Sequence, residues 1–188
     1  MDSLVEEAAA GSNSAWHKIV ELLGPSIRGF ARARGVSEPD ELTQDVFLDA
    51  ARSIGGFHGD WAGFRSWIFT IAYRRIADHH RRNARRPRLI FDDSAALRMP
   101  GGPRPEEEAV QRETIDELLA ALHNLNQIER DVVLLRIIAD LSSDEVAAVV
   151  GKSPGNVRVI QNRALSRMRK NLEKTCNELH HSTIAPVT

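Results

Sequence analysis

The chain has 188 residues, 42% apolar and 27% charged, with a formal net charge of −1, values of a globular protein with one ordinary domain or two small ones. No apolar run approaches the roughly 20 residues that cross a bilayer, and the acidic start (Asp2, Glu6, Glu7) lacks the basic region and apolar core of a secretory leader. A single cysteine, Cys176, excludes an internal disulfide framework and a cysteine-built metal site, so the expected compartment is the cytoplasm.

In chain order, the patterns are helical and no segment sustains the period-two alternation of a strand. Trp16, Ile19, Val20, Leu23, Ile27 and Phe30 recur at three- and four-residue spacings and predict a helix over about 14–34, with a kink or break at Gly24-Pro25. Ser37-Glu38-Pro39-Asp40-Glu41 is a helix start, with Ser37 a cap candidate, proline in the first turn and acids at the positive dipole end. The helix it opens carries Leu42, Val46, Phe47 and Ala50 on one face and ends at Gly55-Gly56. A loop follows, then a third helix over about 63–85. Its first half holds Phe64, Trp67, Ile68 and Ile71, and its second half is nearly all arginine and histidine.

Residues 87–105 contain four prolines and read as a linker. Beyond them, Ile115, Leu118, Leu119, Leu122 and Leu125 mark one helix, and Val132, Val133, Leu135 and Ile138 a second. Short helices are predicted over 143–150 and 154–170, and residues 182–188 read as a tail. The prediction is an all-α chain of two small helical domains, 1–86 and 109–175, joined by a flexible linker over 87–108 and followed by a tail over 176–188.

Charge is strongly segregated. Residues 1–60 hold five basic and ten acidic side chains, a net of −5, and residues 61–91 hold eight arginines and one acid, a net of +7. Residues 92–150 carry −8 and residues 151–188 carry +5. Two basic blocks suit phosphate backbones, because each neutralised phosphate releases condensed counterions. The first basic block interleaves Trp61, Phe64, Trp67 and Tyr73 with Arg74, Arg75, Arg81, Arg82, Arg85 and Arg86. That composition suits unpaired DNA, whose bases stack on aromatics while arginine neutralises the strand. Phe64 and Trp67 share the face of Ile68 and Ile71, which assigns them to the core.

The second basic block follows a more specific pattern. Ser142 or Ser143 caps a short helix, Ala147 allows a close helix crossing, Gly151 supplies a turn, and Ser153-Pro154 opens the next helix. Val146, Val150, Val157 and Ile160 provide a small core between them. This is the spacing of a helix-turn-helix, whose second helix enters the major groove. Asn156, Arg158, Val159, Asn162 and Arg163 are its candidates for base edges: Arg suits guanine, Asn adenine and Val a thymine methyl. Arg167, Arg169 and Lys170 are placed for phosphates. The plainer alternative, a helical hairpin with a solvated basic face, needs the glycine turn, the Ser-Pro cap and the basic helix to coincide by chance.

These residues resemble those of a known family. Asp40-Glu41-Leu42-Thr43-Gln44-Asp45-Val46-Phe47-Leu48-Asp49-Ala50 is similar to region 2.2 of extracytoplasmic-function (ECF) sigma factors of the sigma-70 family. Phe64 to His79 resembles regions 2.3 and 2.4, and the helix-turn-helix resembles region 4.2, so the likeness spans roughly residues 12–172. The resemblance implies a factor that binds core RNA polymerase and directs promoter-specific initiation. Asp40, Glu41, Gln44, Asp45 and Leu48 would dock on the β′ clamp helices, and the C-terminal domain on the β flap. Trp61, Arg65, Arg74, Arg75, Asp78, His79, Arg81 and Arg82 would open and read the −10 element. Asn156, Arg158, Val159, Asn162, Arg163 and Arg167 would read the −35 element. An anti-sigma factor would be a further partner. Arg74 stands where many members have Asn, and Ile160-Gln161-Asn162 replaces a more basic stretch, both of which bear on promoter sequence.

Two other classes fit less well. A one-component regulator would use the helix-turn-helix but leave the acidic helix at 40–50 unexplained. An enzyme finds no P-loop, GxSxG or HExxH, and a nuclease built on Asp78, His79 and His80 lacks an acidic cluster. No cofactor and no metal is expected.

Overall fold

A computed structural model describes residues 1–83, 121–122 and 124–182, with side chains to residue 173. The predicted linker, Arg85, Arg86, Ile115, Leu118, Leu119 and the final six residues lie outside the described residues. Among those described, the chain forms seven α-helices and no strand. They are α1 (Asp2–Ala9), α2 (Asn13–Ala33), α3 (Pro39–Ser53), α4 (Trp61–Asn83), α5 (Gln127–Ile137), α6 (Ser143–Val150) and α7 (Pro154–Ser182).

Helix α1 was not predicted. Its eight residues are too few to hold a helix by propensity alone; packing on α2 and α4 supplies the rest. Val5 and Ala8 are buried, and the indole N–H of Trp16 donates to the Ala8 carbonyl at 3.2 Å. Helix α2 starts at a Ser12 cap and runs through Pro25 as one element. Pro25 is exposed, so its ring points away from the core and the helix continues despite the lost backbone hydrogen bond. The buried stripe is Ala15, Ile19, Leu23, Ile27, Phe30 and Ala31. Val20, predicted for the core, lies at the edge of that stripe and is exposed.

Helix α3 begins behind Glu38 rather than Ser37, with Pro39 at its first position. It buries Leu42, Thr43, Val46, Phe47 and Ala50 against α2 and α4. Helix α4 starts at Trp61, two residues before the predicted boundary. The Asp60 carboxylate accepts the Gly63 N–H at 2.8 Å and the Asp2 carboxylate accepts the Trp61 N–H at 2.7 Å, so two orphan donors of the first turn are satisfied. Phe64, Ile68, Phe69, Ala72 and Ile76 form its buried face, while Trp67 and Ile71 are only partly covered.

In the C-terminal half, α5 and α6 each open with a capping box, Asn126 with Glu129 and Ser142 with Glu145. Gly151 ends α6 in the left-handed region at φ 65°, a conformation that costs a non-glycine residue about 1 kcal/mol. Val132, Leu135, Leu141, Val146, Val157 and Ala164 make the core of this half; Val150 and Ile160 pack at its edge. Helix α7 runs past the predicted end at Lys170 to Ser182. The two halves pack on each other, α4 along α6 and α2 beside α5.

Candidate nucleic-acid interface

The helix-turn-helix presents its second helix cleanly. Ser153 Oγ accepts the Asn156 N–H at 3.3 Å, and Val157, Ala164 and Met168 bury the inner face of α7. Asn156, Arg158, Val159, Asn162 and Arg163 are all exposed on the other side. Val159 is 46% exposed, an apolar side chain turned to water. Arg167 differs from this set. It is exposed, yet its guanidinium meets Glu129 at 2.8 Å and so ties α7 to α5. Gln161 faces inward as the partner of Arg136 at 3.3 Å.

The residues predicted for the −10 element separate into three environments. Trp61 stacks on Phe64 with ring centroids 5.7 Å apart, within a cluster that includes Phe57 and Trp67. Arg74, Arg81 and Arg82 are exposed. Arg81 pairs with Asp78, whose carboxyl that contact holds below its usual range, and Arg82 donates to the Asp78 carbonyl. His79 meets Asn83 at 2.8 Å. Arg65 and Arg75, however, are engaged within the protein. Arg75 reaches Asp49 at 2.7 Å and Asp45 at 2.5 Å on α3. Arg65 donates to the carbonyls of Ala139 and Asp140 at 2.8 and 2.7 Å, with Glu145 3.6 Å away.

On α3, Glu41, Gln44 and Leu48 form one exposed stripe, and Leu48 is 53% exposed. Asp40 pairs with Arg28 at 2.8 Å, and Asp45 is held by Arg75. An open cleft between α3 and α4 gathers Asp49, Ile71, Arg74, Arg75, Asp78 and Arg82. The acidic helix α3 and the basic helix α4 therefore share a border, a proximity that sequence spacing does not show. Among the described residues, no group of three His, Cys, Asp or Glu side chains could hold a metal ion, and no helix is long and apolar enough to cross a membrane.

Burial lowers the pKa of His80, and the neighbouring Arg34 and His79 lower it further; burial, then Arg82, lowers that of His79. A histidine with a depressed folded-state pKa resists protonation in the native protein, so its effect on stability is absent above the unfolded pKa. Stability is then lost as pH falls below about 6.5. Thermal unfolding between pH 8 and pH 5 is expected to show that decline, and His80→Gln to flatten it. An unchanged slope in the variant would remove His80 as a cause.

Sequence comparison agrees with this geometry. The family profile described as "Sigma-70 region 2" matches residues 19–86, and that described as "Sigma-70, region 4" matches residues 121–170. The ECF RNA polymerase sigma factor SigD of Mycobacterium tuberculosis is 30% identical over 176 residues, covering 90% of this chain and 82% of its own. The sigma factor CnrH of Cupriavidus metallidurans is 29% identical over 177 residues, covering 90% of each chain. The same fold is seen in the structure of CnrH in complex with the cytosolic domain of CnrY, at a TM-score of 0.68 and 22% identity over 92% of this chain and 97% of that one. It recurs in the sigma factor RpoE of Bartonella quintana, at 0.66 and 19% over 84% and 96%. The chain belongs to the sigma-70 family and is an ECF-type RNA polymerase sigma factor, acting in transcription initiation.

Proposed function

We propose that α7 reads the −35 element through Asn156, Arg158, Val159, Asn162 and Arg163, with Arg167 bracing the helix. Helix α4 and the loop before it read the −10 element through Trp61, Arg65, Arg74, Arg75, Asp78, His79, Arg81 and Arg82. The observation that carries this reading is the capped, glycine-turned α6–α7 unit, with its polar and basic residues exposed on one face. The α3 stripe of Glu41, Gln44 and Leu48, flanked by Asp40 and Asp45, docks on the β′ clamp helices, and the C-terminal domain meets the β flap. The protein acts by binding rather than by catalysis, and in the cytoplasm.

An anti-sigma factor is a further proposed partner. The Bartonella RpoE was solved with the anti-sigma factor NepR, and CnrH with the cytosolic domain of CnrY.

Reconstituted initiation tests the assignment. Core RNA polymerase mixed with this protein is expected to transcribe a subset of a randomised promoter library, with preferences at both elements. Leu48→Asp replaces an exposed side chain, so the fold is retained. An exposed apolar anchor in an interface contributes about 1–2 kcal/mol, and the variant is expected to bind core polymerase roughly tenfold more weakly. Equal affinity in a titration would move the docking surface off α3.

A further inference from the structure

The first turn of α4 is tied down partly from a distant segment of the chain. Asp60 is the cap of that helix: its carbonyl accepts the Phe64 N–H at 2.9 Å and its carboxylate the Gly63 N–H at 2.8 Å. The N–H of Trp61 lies one residue inside the cap, where a helix offers it no partner of its own. Asp2 of α1, 59 positions earlier, accepts it at 2.7 Å.

Helix α1 is fixed on its other sides. Val5 and Ala8 are buried, and α1 packs on α2, on α4 and on the short 3-10 helix Ile54–Gly56 that precedes the loop into α4. The residues that join α1 to α2 (Ala10, Gly11 and Ser12) all donate their N–H back into α1, with Gly11 at φ 89° in the left-handed region. The Trp16 indole closes the same end on the Ala8 carbonyl. Asp2 therefore stands on a packed helix and not on a loose arm.

The loop that leads into α4 is constrained as well. The Phe57 ring meets Phe64 edge-on and Trp67 at a tilt, with centroids 5.6 and 5.3 Å apart. A Cβ at position 59 would come within 3.0 Å of the Phe57 ring, so Gly59 lets the chain fold back over it. Trp61 stacks on Phe64 and stays partly exposed. Its indole is oriented by that aromatic contact and its backbone by the Asp2 carboxylate.

We infer that Asp2 is a positioning residue for recognition of the −10 element: it fixes the start of α4 at Trp61, and with it the orientation in which the indole meets an unpaired base. The inference rests on the assignment of α4 and the loop before it to that element. Without the carboxylate, the Trp61 N–H turns to water and the first turn frays. A platform held in one orientation favours the base that fits it, whereas one that re-packs accommodates several. Helix α1 lies outside residues 19–86, the span of the region 2 match, so part of the selectivity is supplied from beyond that segment.

Asp2 is exposed, so its substitution leaves the core intact. Two variants of the full chain carry the test, Asp2→Ala and Asp2→Asn, the second of which keeps an acceptor oxygen and caps as well as aspartate. Amide hydrogen exchange is read first, at Trp61 in the free protein. In Asp2→Ala it is expected to accelerate roughly fivefold, the effect of a lost cap, and in Asp2→Asn to stay near the wild-type rate. Unchanged exchange in Asp2→Ala overturns the tether.

The functional arm transcribes a promoter library with each variant holoenzyme and with that of Trp61→Ala. In Asp2→Ala, discrimination among −10 variants is expected to shrink roughly fivefold while the ranking of −35 sequences stays as in the wild type. Asp2→Asn is expected to restore it. Wild-type −10 discrimination in Asp2→Ala, or an equal loss in Asp2→Asn, overturns the positioning role. A uniform loss at both elements overturns it too, and marks α1 as structural support alone. Where Trp61→Ala alters the −10 ranking, all three of these failures leave the −10 assignment standing. If Trp61→Ala leaves that ranking unchanged, reading by Trp61 fails and the positioning role falls with it.

Discussion

Arg163→Ala and Arg158→Ala are each expected to lower transcription from the cognate promoter by roughly ten- to a hundredfold and to flatten preference among −35 variants. Both side chains are exposed on α7 within the first three turns after Pro154. A bidentate arginine–guanine contact discriminates by about 1–3 kcal/mol against the wrong base, and each 1.4 kcal/mol is about a factor of ten. Lys170 lies more than four turns from the start of the helix. A phosphate contact there contributes affinity without preference, and its loss reduces the salt slope by about one unit. Lys170→Ala should therefore weaken all promoters alike. Arg167→Ala should loosen the seat of α7 by removing the contact with Glu129. A promoter library transcribed with each variant holoenzyme at two salt concentrations separates these outcomes. If both Arg158 and Arg163 variants keep the wild-type ranking of −35 sequences, reading passes to Asn156 and Asn162.

The second large effect is expected at Asp131. Asp131→Ala leaves Arg34 buried without its counter-ion, and breaking a buried pair in this way costs about 3–5 kcal/mol. Because the partners belong to different halves of the chain, separation of the halves relieves that cost by returning Arg34 to water. Asp131→Ala is therefore expected to open the free protein while each half keeps its helices. Arg34→Met combined with Asp131→Leu removes both charges and fills the space with apolar atoms. Such exchanges are often neutral or stabilising, so the double variant should stay closed. Circular dichroism and energy transfer, measured on both single variants and the double, complete the cycle. A double variant as open as Asp131→Ala alone would show that the ion pair is not what the closure depends on.

The contrast between what the chain pattern revealed and what it hid follows the range of the interactions. Ser142, Gly151 and Ser153-Pro154 each act on backbone groups within a few residues. Helices α6 and α7 therefore start where the pattern predicts, and the side chains exposed on the outer face of α7 could be named in advance. The stripe of α3 was legible for the same reason, because Leu42, Val46, Phe47 and Ala50 repeat at helical spacing. Helix α1 was not legible, since it depends on the Trp16 indole and on burial of Val5 and Ala8 against α2 and α4. The start of α4 was misplaced because one of its caps, Asp2, comes from the far end of the domain.

Arg65 and Arg75 show the same limit at the candidate site. As residue types in a basic helix they read as DNA contacts, a role proposed above that leaves out the contacts the fold also gives them. Their partners, the Asp140 carbonyl and the Asp45 and Asp49 carboxylates, are supplied by distant elements. Asp131 gave no warning either. An acid beside Val132 on a helix reads as the edge of a solvated face, and only the docking of α2 on α5 encloses it.

Glu129 serves two structures at once: it closes the capping box that begins α5, and it receives Arg167 from α7. A single carboxylate thus sets both the first turn of α5 and the seating of α7. Positions 126, 129 and 167 are therefore coupled, and in diverging descendants they should change together or not at all. The side chains at 156, 158, 159, 162 and 163 are free of that constraint, because none of them takes part in this mounting. On the proposed reading of α7, promoter preference drifts by single substitutions on the outer face while the angle at which the helix is held stays fixed. An ancestral factor could in this way give rise to paralogues that address different genes without passing through an unfolded intermediate.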